Sequence, residues 1–129
     1  MGDNLRMLVE QRGRRPVLLV VDDQVANIRA LYEIFREECD VYMATNGEQA
    51  VSLAMAHLPD LVLLDEPCAC VNPSLVGGIS RLLKELNRDR QGSFVVIEHN
   101  MDFVMDLCHR IMVMVEGKVL AIGTPDDIR

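Results

Sequence analysis

Tryptophan is absent from this 129-residue chain, and aromatic residues make up only 4% of it. A core with so few large rings has to be filled by Val, Leu, Ile, Met and Ala, the residues typical of parallel sheets covered by helices. A chain of this length can bury roughly two-thirds of its unfolded surface, enough for a core without metals or disulfides. We therefore expect a single α/β domain over residues 1–129.

Cysteines and long apolar runs are also scarce. Four cysteines, Cys39, Cys68, Cys70 and Cys108, are too few for a disulfide framework. No apolar run approaches the ~18 residues that a membrane helix needs, and residues 1–15 are polar rather than a signal peptide. The sequence predicts a cytoplasmic protein that is not associated with a membrane.

Positive charge is limited, because the formal net charge is −7. The basic residues cluster only at Arg12, Arg14 and Arg15, in a segment that we interpret as a leader over residues 1–15. Three arginines can contact phosphates, but a solvated leader is the favoured interpretation. No nucleic-acid partner is expected from this charge distribution.

Apolar runs alternate with segments of helical spacing along the rest of the chain. The predicted strands cover residues 16–21, 39–44, 61–64, 94–97 and 111–115, and a turn then leads into a hairpin strand at 119–122. Helices are predicted to start at Asn46, with Gln49 completing a capping box, and at Asn72-Pro73. This alternation favours a three-layer αβα sandwich with a flavodoxin-like parallel sheet of five strands, in the order 2-1-3-4-5.

Acidic residues end two strands that this order makes neighbours. Asp22 and Asp23 follow the first strand and Asp65 ends the third, so three carboxylates are expected at one edge of the sheet. Oxygen ligands of this kind suit Mg²⁺. A magnesium site and a set of solvated strand-end acids are about equally favoured.

Other candidate ligands lie near the same edge. Cys68 and Cys70 follow Glu66, and His99 ends the fourth strand. With Asp65 they could form a soft-metal site, because Zn²⁺ accepts mixed sulfur, nitrogen and oxygen ligands. The spacing is not a standard zinc pattern, so incidental thiols are the favoured interpretation.

Residues 16–65 resemble the first three βα units of a response-regulator receiver domain. The resemblance is carried by P-V-L-L-V-V-D-D, A-T-N-G-E-Q-A-V and P-D-L-V-L-L-D. It implies a metal at Asp22 and Asp23 and phosphorylation of Asp65. The receiver's Thr or Ser after strand 4 and its Lys after strand 5 are not found at the matching positions.

Residues 61–129 resemble the C-terminal part of an ABC-transporter ATPase of the branched-chain amino-acid type. L-V-L-L-D-E-P resembles a Walker B strand, C-A-C-V-N-P a D-loop and V-V-I-E-H-N-M-D the switch-histidine strand. The resemblance implies that Asp65 binds Mg²⁺, that Glu66 activates water and that His99 contacts the γ-phosphate. The signature L-S-G-G-Q and the Q-loop are not found.

A phosphate-binding loop is not found either. Such a loop needs G-x-x-x-x-G-K-[ST], whose backbone N–H groups and lysine hold the nucleotide phosphates. The only lysines are Lys84 and Lys118, and neither lies in that pattern. The resemblance to an ATPase therefore gives Asp65, Glu66 and His99 only as vestigial catalytic residues, with no intact site.

These observations lead to the interpretation of an engineered chimera, with a leader over residues 1–15, a receiver-like half over 16–65 and an ATPase-like half over 66–129. Such a protein is expected to have no enzymatic activity and to require no cofactor, and to be a monomer or a homodimer formed through an exposed sheet edge. Two alternatives stay open. One is a residual receiver that binds Mg²⁺ and is phosphorylated on Asp65, and the other is a residual nucleotide-binding or ATPase fragment.

Overall fold

The computed structural model describes residues 13–67, 80–81, 83–85, 87–88 and 93–128. The elements are, in chain order, β1 (Val17–Val21), α1 (Val25–Phe35), β2 (Asp40–Ala44), α2 (Gly47–His57), β3 (Leu61–Asp65), β4 (Ser93–Ile97), α3 (Met101–Leu107), β5 (Ile111–Val115), β6 (Lys118–Gly123) and α4 (Pro125–Ile128). The described residues of 80–88 are helical as well. The helix start predicted at Asn72-Pro73, together with Arg12, Cys68 and Cys70, lies outside the described residues.

Four of the strands form a parallel sheet in the order β2-β1-β3-β4. β1 lies inside this sheet, and its residues Leu19 and Val20 are almost completely buried. The continuous apolar sequence of β1 suits a strand that is covered on both faces. The predicted α/β architecture with a parallel sheet is confirmed, and so is the order of the first four strands.

The predicted five-stranded sheet is not confirmed. Within the described part of the chain, β5 pairs with β6 in a separate antiparallel sheet and does not pair with β4. The hairpin closes through Glu116 and Gly117, whose positive φ angles of 50° and 77° match a type I′ turn. A local turn of this kind closes at a small entropic cost, whereas a parallel crossover over residues 98–110 would be near the minimum length of about a dozen residues.

Each face of the parallel sheet has its own apolar cluster. On one face α1 contributes Ile28 to a cluster with Leu18 and Val20 of β1. On the other face Phe103 of α3 and Leu83 pack against a cluster that contains Leu19. The sheet is therefore covered on both sides, as the sequence predicts, and its strand ends are held on a packed core.

The predicted N-cap Asn46 of α2 is confirmed, but Gln49 bonds back to Thr45 and not to the backbone N–H of Asn46 that a capping box requires. The Oδ1 atom of Asn46 accepts a hydrogen bond from the N–H of Gln49 at 2.9 Å. In return, the Oε1 atom of Gln49 accepts hydrogen bonds from the N–H and the hydroxyl of Thr45 at 2.9 and 3.0 Å. The bond to Asn46 satisfies one donor that a helix N-terminus otherwise leaves unpaired, and the bonds from Thr45 hold the chain just before the helix.

The arginines before β1 belong to the fold, which corrects the interpretation of a solvated leader at these positions. Arg14 forms a bidentate ion pair with Asp60, with both N···O distances at 2.8 Å. Arg15 donates hydrogen bonds to the carbonyl oxygens of Arg36, Glu37 and Cys39. These carbonyls follow the C-terminus of α1, where a cation is favourable. Both guanidinium groups are thus already engaged in the protein.

Replacing Asp60 by Ala should lower the stability of the fold. Its Oδ2 atom accepts the N–H of Val17 at 2.8 Å, at the start of the central strand β1. Losing an acceptor from a partly buried donor costs about 1–3 kcal/mol. Urea unfolding followed by circular dichroism would measure the change, with Glu85→Gln as an exposed control. An unchanged midpoint for Asp60→Ala would contradict this role.

No helix among the described residues is long and apolar enough to cross a membrane.

Candidate functional site

The carboxyl ends of β1, β3 and β4 bring the candidate residues together at one edge of the sheet. Val21 of β1 lies opposite Leu64 of β3, and Asp65 lies opposite Ile97 of β4. Because side chains alternate along strands and this register continues, Asp22 and Asp65 belong to the same face. They lie on the face that α1 covers.

Asp22 is an ionised carboxylate held by local hydrogen bonds. Its side chain accepts the N–H of Gln24 at 2.9 Å and the amide of Asn27 at 3.1 Å. The residue is only 3% exposed. Burial acts to raise the pKa of Asp22, but hydrogen bonds, first from Gln24 and then from Asn27, outweigh it and hold the pKa below its usual value.

Asp65 has the opposite protonation behaviour. Burial, a hydrogen bond with Asp22 and the negative charges around it raise the pKa of Asp65 to about 6. After Asp22, the charges that contribute are those of Glu66 and Asp23. The pair therefore consists of an ionised Asp22 and an Asp65 that is easily protonated. Two carboxyl groups with separated pKa values are typical of functional sites, although structural pairs also produce them.

The structure pairs two of the three predicted magnesium ligands closely. Asp23 lies beyond the end of β1 and is exposed, and its charge raises the pKa of Asp65 less than the charges of Asp22 and Glu66 do. Among the described residues, no group of three His, Cys, Asp or Glu side chains has a geometry that could hold a metal. The magnesium site at Asp22, Asp23 and Asp65 stays a prediction.

Glu66 and His99 meet across the ends of β3 and β4. Glu66 has a φ angle of 49°, which is unusual for a residue other than glycine, and its N–H donates to the carbonyl of Ile97 at 2.7 Å. This hydrogen bond extends the pairing of the two strands. The Oε1 atom of Glu66 lies 3.3 Å from Nδ1 of His99. Two of the three predicted vestigial catalytic residues, Glu66 and His99, are therefore in direct contact.

Glu98 is a site residue whose role sequence reasoning missed. Its side chain is only 2% exposed. The Oε1 atom accepts the N–H of His99 at 3.0 Å and the N–H of Asn100 at 3.4 Å. The signal in the sequence is a glutamate between an apolar strand and Asn100, the residue that caps α3.

No protein-family model matches the chain. Individual proteins do match it. An ABC transporter ATP-binding protein of Methanosarcina acetivorans is 33% identical over 95 residues, which cover 71% of this chain and 16% of that protein. The branched-chain amino acid transport ATP-binding protein LivG of Salmonella typhimurium is 37% identical over 79 residues, or 61% of this chain and 31% of that protein. The chain thus spans less than a third of the length of these relatives.

Solved structures give the same result. The ABC transporter subunit cbiO1 of Clostridium perfringens is 30% identical and superposes with a TM-score of 0.58, over 62% of this chain and 32% of that one. An ATP-binding cassette of an ABC transporter in its ADP conformation is 25% identical, with a TM-score of 0.52 over 76% of this chain and 39% of that one. Together the comparisons indicate that this chain is similar to part of an ABC transporter ATP-binding domain.

The interpretation of an engineered chimera is therefore wrong. The match to the Methanosarcina acetivorans protein covers 71% of this chain, so wherever it begins it includes β2, α2 and β3. These elements lie within the half that we predicted to be a receiver. The comparisons give no support for the receiver resemblance, and they fit the nucleotide-binding alternative better.

Proposed function

We propose that this chain is the part of an ABC-transporter ATP-binding domain that holds Mg²⁺ and the attacking water beside a bound nucleotide. The observation that carries the proposal is the contact of Glu66 with His99 at the strand edge that ends in Asp65. In this role Asp65 binds the metal ion and Glu66 accepts a proton from water. His99 contacts the terminal phosphate.

The donor set at Asp65 fits a divalent cation. Two carboxylates close together at a partly buried strand edge repel each other, and this repulsion adds to burial and to the hydrogen bond with Asp22 in raising the pKa of Asp65. A cation bound there would relieve it and would keep Asp65 ionised. Mg²⁺ is typically held by one or two carboxylates together with water and phosphate oxygens, and Asp65 with Asp22 provides such a pair.

The described residues do not fit the nucleotide phosphates in the same way. Lys84 already forms an ion pair with Asp106 at 3.1 Å, and Lys118 begins β6 in the separate hairpin. Neither lysine lies in a phosphate-binding loop. We therefore propose that residues outside this sequence hold the phosphates. The chain alone is expected to bind Mg²⁺ and to show no ATP turnover.

The relatives favour a shared ATP-binding role and no single transported substrate. The methionine import ATP-binding protein MetN 2 of Rhodococcus jostii is 37% identical over 78 residues, as similar as the branched-chain amino acid protein LivG. The branched-chain type is thus one of two equally supported proposals. Both of these relatives are ATP-binding proteins of amino acid transport.

A homodimer through the sheet edge stays a prediction. β4 is the last strand of the described parallel sheet, and its side chains Val95 and Ile97 are exposed. It carries neither a charge nor a proline, the devices that commonly protect an edge strand from pairing with another chain. Sedimentation velocity at increasing protein concentration would measure the association.

Mg²⁺ should lower the pKa of Asp65 from about 6. The change can be measured from the carboxyl carbon signal of Asp65 in NMR titrations with and without millimolar Mg²⁺. Asp65→Asn should abolish a saturable response at neighbouring amides, whereas the exposed control Glu85→Gln should retain it. A pKa of Asp65 that is independent of Mg²⁺ would contradict the proposal. Isothermal titration with MgADP would then measure the nucleotide contribution separately.

A further inference from the structure

The carboxylate of Glu98 is buried directly beside the candidate site. Burying a charge is unfavourable unless hydrogen bonds or an opposite charge compensate for it. In Glu98 the Oε1 atom accepts two successive backbone N–H groups, those of His99 and Asn100. Hydrogen bonds to an ionised acceptor are among the stronger ones in proteins. The side chain therefore fixes the backbone at the turn that carries His99.

The turn is fixed on its other side by Asn100. The Oδ1 atom of Asn100 accepts the N–H of Phe103 at 3.2 Å and caps α3, and Phe103 is buried in the core. His99 thus lies between Glu98, which accepts the backbone N–H of His99, and Asn100, which caps α3. The backbone that carries the 83% exposed side chain of His99 is therefore held on both sides.

Two carboxylates surround the same ring nitrogen of His99. Nδ1 lies 3.3 Å from Oε1 of Glu66 and 3.8 Å from Oε1 of Glu98. Acceptors on this side favour the tautomer that carries its hydrogen on Nδ1. In that tautomer Nε2 is the nitrogen that can accept a hydrogen bond from a ligand.

We propose that Glu98 is a positioning residue, which holds the turn after β4 so that His99 faces Glu66 with its hydrogen on Nδ1. The catalytic meaning of this arrangement rests on the proposed function above. The arrangement itself does not, because it depends only on contacts within the chain.

NMR of the whole chain tests the proposal with Glu98→Ala and Glu98→Gln. In Glu98→Ala, amide hydrogen exchange at His99 and Asn100 should rise on the order of tenfold, since two hydrogen bonds are lost. The ring nitrogen signals of His99 should move towards a mixture of tautomers. Glu98→Gln keeps an oxygen acceptor, so the amide protection should largely return while the Nδ1 signal still shifts. Glu85→Gln is the control and should change neither signal.

Wild-type exchange and ring signals in a folded Glu98→Ala variant would overturn the proposal. If Glu98→Ala does not fold, Glu98→Gln decides, and loss of the amide protection at His99 and Asn100 despite the retained oxygen acceptor overturns it. The Mg²⁺ titration of Asp65 in Glu98→Gln separates this proposal from the proposed function. If His99 responds to the substitution while Asp65 does not respond to Mg²⁺, the positioning role stands and the metal role fails.

Discussion

Replacing Asp65 by Asn should stabilise the fold at pH 8 by about 1–2 kcal/mol and should flatten the dependence of stability on pH. The pKa of Asp65 is about 6 in the folded protein against a usual value of 3.8. Ionising Asp65 in place, beside the ionised Asp22, is therefore unfavourable. Asn has a similar shape and is neutral, and its amide can still donate a hydrogen bond to Asp22.

The sign of the pH effect follows from proton binding. Between pH 3.8 and about 6 the folded state holds a proton on Asp65 that the unfolded state has already released. Protonated Asp65 thus stabilises the fold fully below pH 4, and this stabilisation is lost as the pH rises through 6. Above about pH 7 the free energy of unfolding no longer changes through Asp65. Each pKa unit corresponds to about 1.4 kcal/mol, and solvent near this partly exposed group reduces the total to about 1–2 kcal/mol.

Urea unfolding at pH 5 and pH 8 measures both quantities. The wild-type protein should lose stability between these values relative to Asp65→Asn, whereas Glu85→Gln should follow the wild type. The pKa of Asp22 is lowered, so its effect on the pH dependence of stability is opposite: ionised Asp22 stabilises the fold, and this stabilisation is lost as the pH falls. An Asn variant that is less stable than the wild type at pH 8, or that keeps the full wild-type slope, would refute the prediction.

A stabilising substitution at this position would also bear on function. Strand-end acids that repel each other lower the stability of the fold, and such costs are commonly found where a site must bind a cation or a substrate. A Mg²⁺ ion at Asp65 would cancel the repulsion. Stability at pH 8 should then rise with Mg²⁺ in the wild type and should not change in Asp65→Asn.

Much of the fold could be predicted because local signals and the sheet agree. The apolar run over residues 16–21 suits a strand that is covered on both faces, and it forms β1. Asn46 caps α2 by accepting the N–H of Gln49, and this spacing of three residues can be seen directly in the sequence. The position of Asp22 and Asp65 at neighbouring strand ends follows from the order of the first strands.

The placement of β5 could not be predicted in the same way. Its apolar sequence predicts a strand and the following turn predicts the hairpin with β6, but neither shows whether β5 also reaches the free edge of β4, which depends on the short connection over residues 98–110. The role of Glu98 was missed for a related reason. A glutamate after a strand is usually solvated, and only the fold shows that its oxygen accepts two N–H groups of the next turn. Asp23 lies beyond the end of β1, and its place among the magnesium ligands stays a prediction.

Replacing Phe103 by Ala should have the largest effect on stability, a loss of about 3–5 kcal/mol, because it leaves a cavity in the core. Phe103 is 2% exposed and packs in the cluster with Leu19. Its N–H also donates to Asn100, so the cavity would loosen the helix start that follows His99. Met101 lies on the same helix and is 52% exposed, which makes Met101→Ala the matched control, with an expected loss below about 1 kcal/mol.

A second variant, Phe103→Leu, separates the loss of stability of the whole fold from a local change at the turn of His99. This variant retains most of the apolar volume and should recover more than half of the lost stability, since the cost of such substitutions follows the size of the cavity. Urea midpoints give the stability, and the His99 ring signals report whether the turn has moved. Equal losses for Phe103→Ala and Met101→Ala would show that α3 does not anchor the core. If Phe103→Ala loses the expected stability but its folded state keeps unchanged His99 signals, Glu98 alone is sufficient to hold the turn.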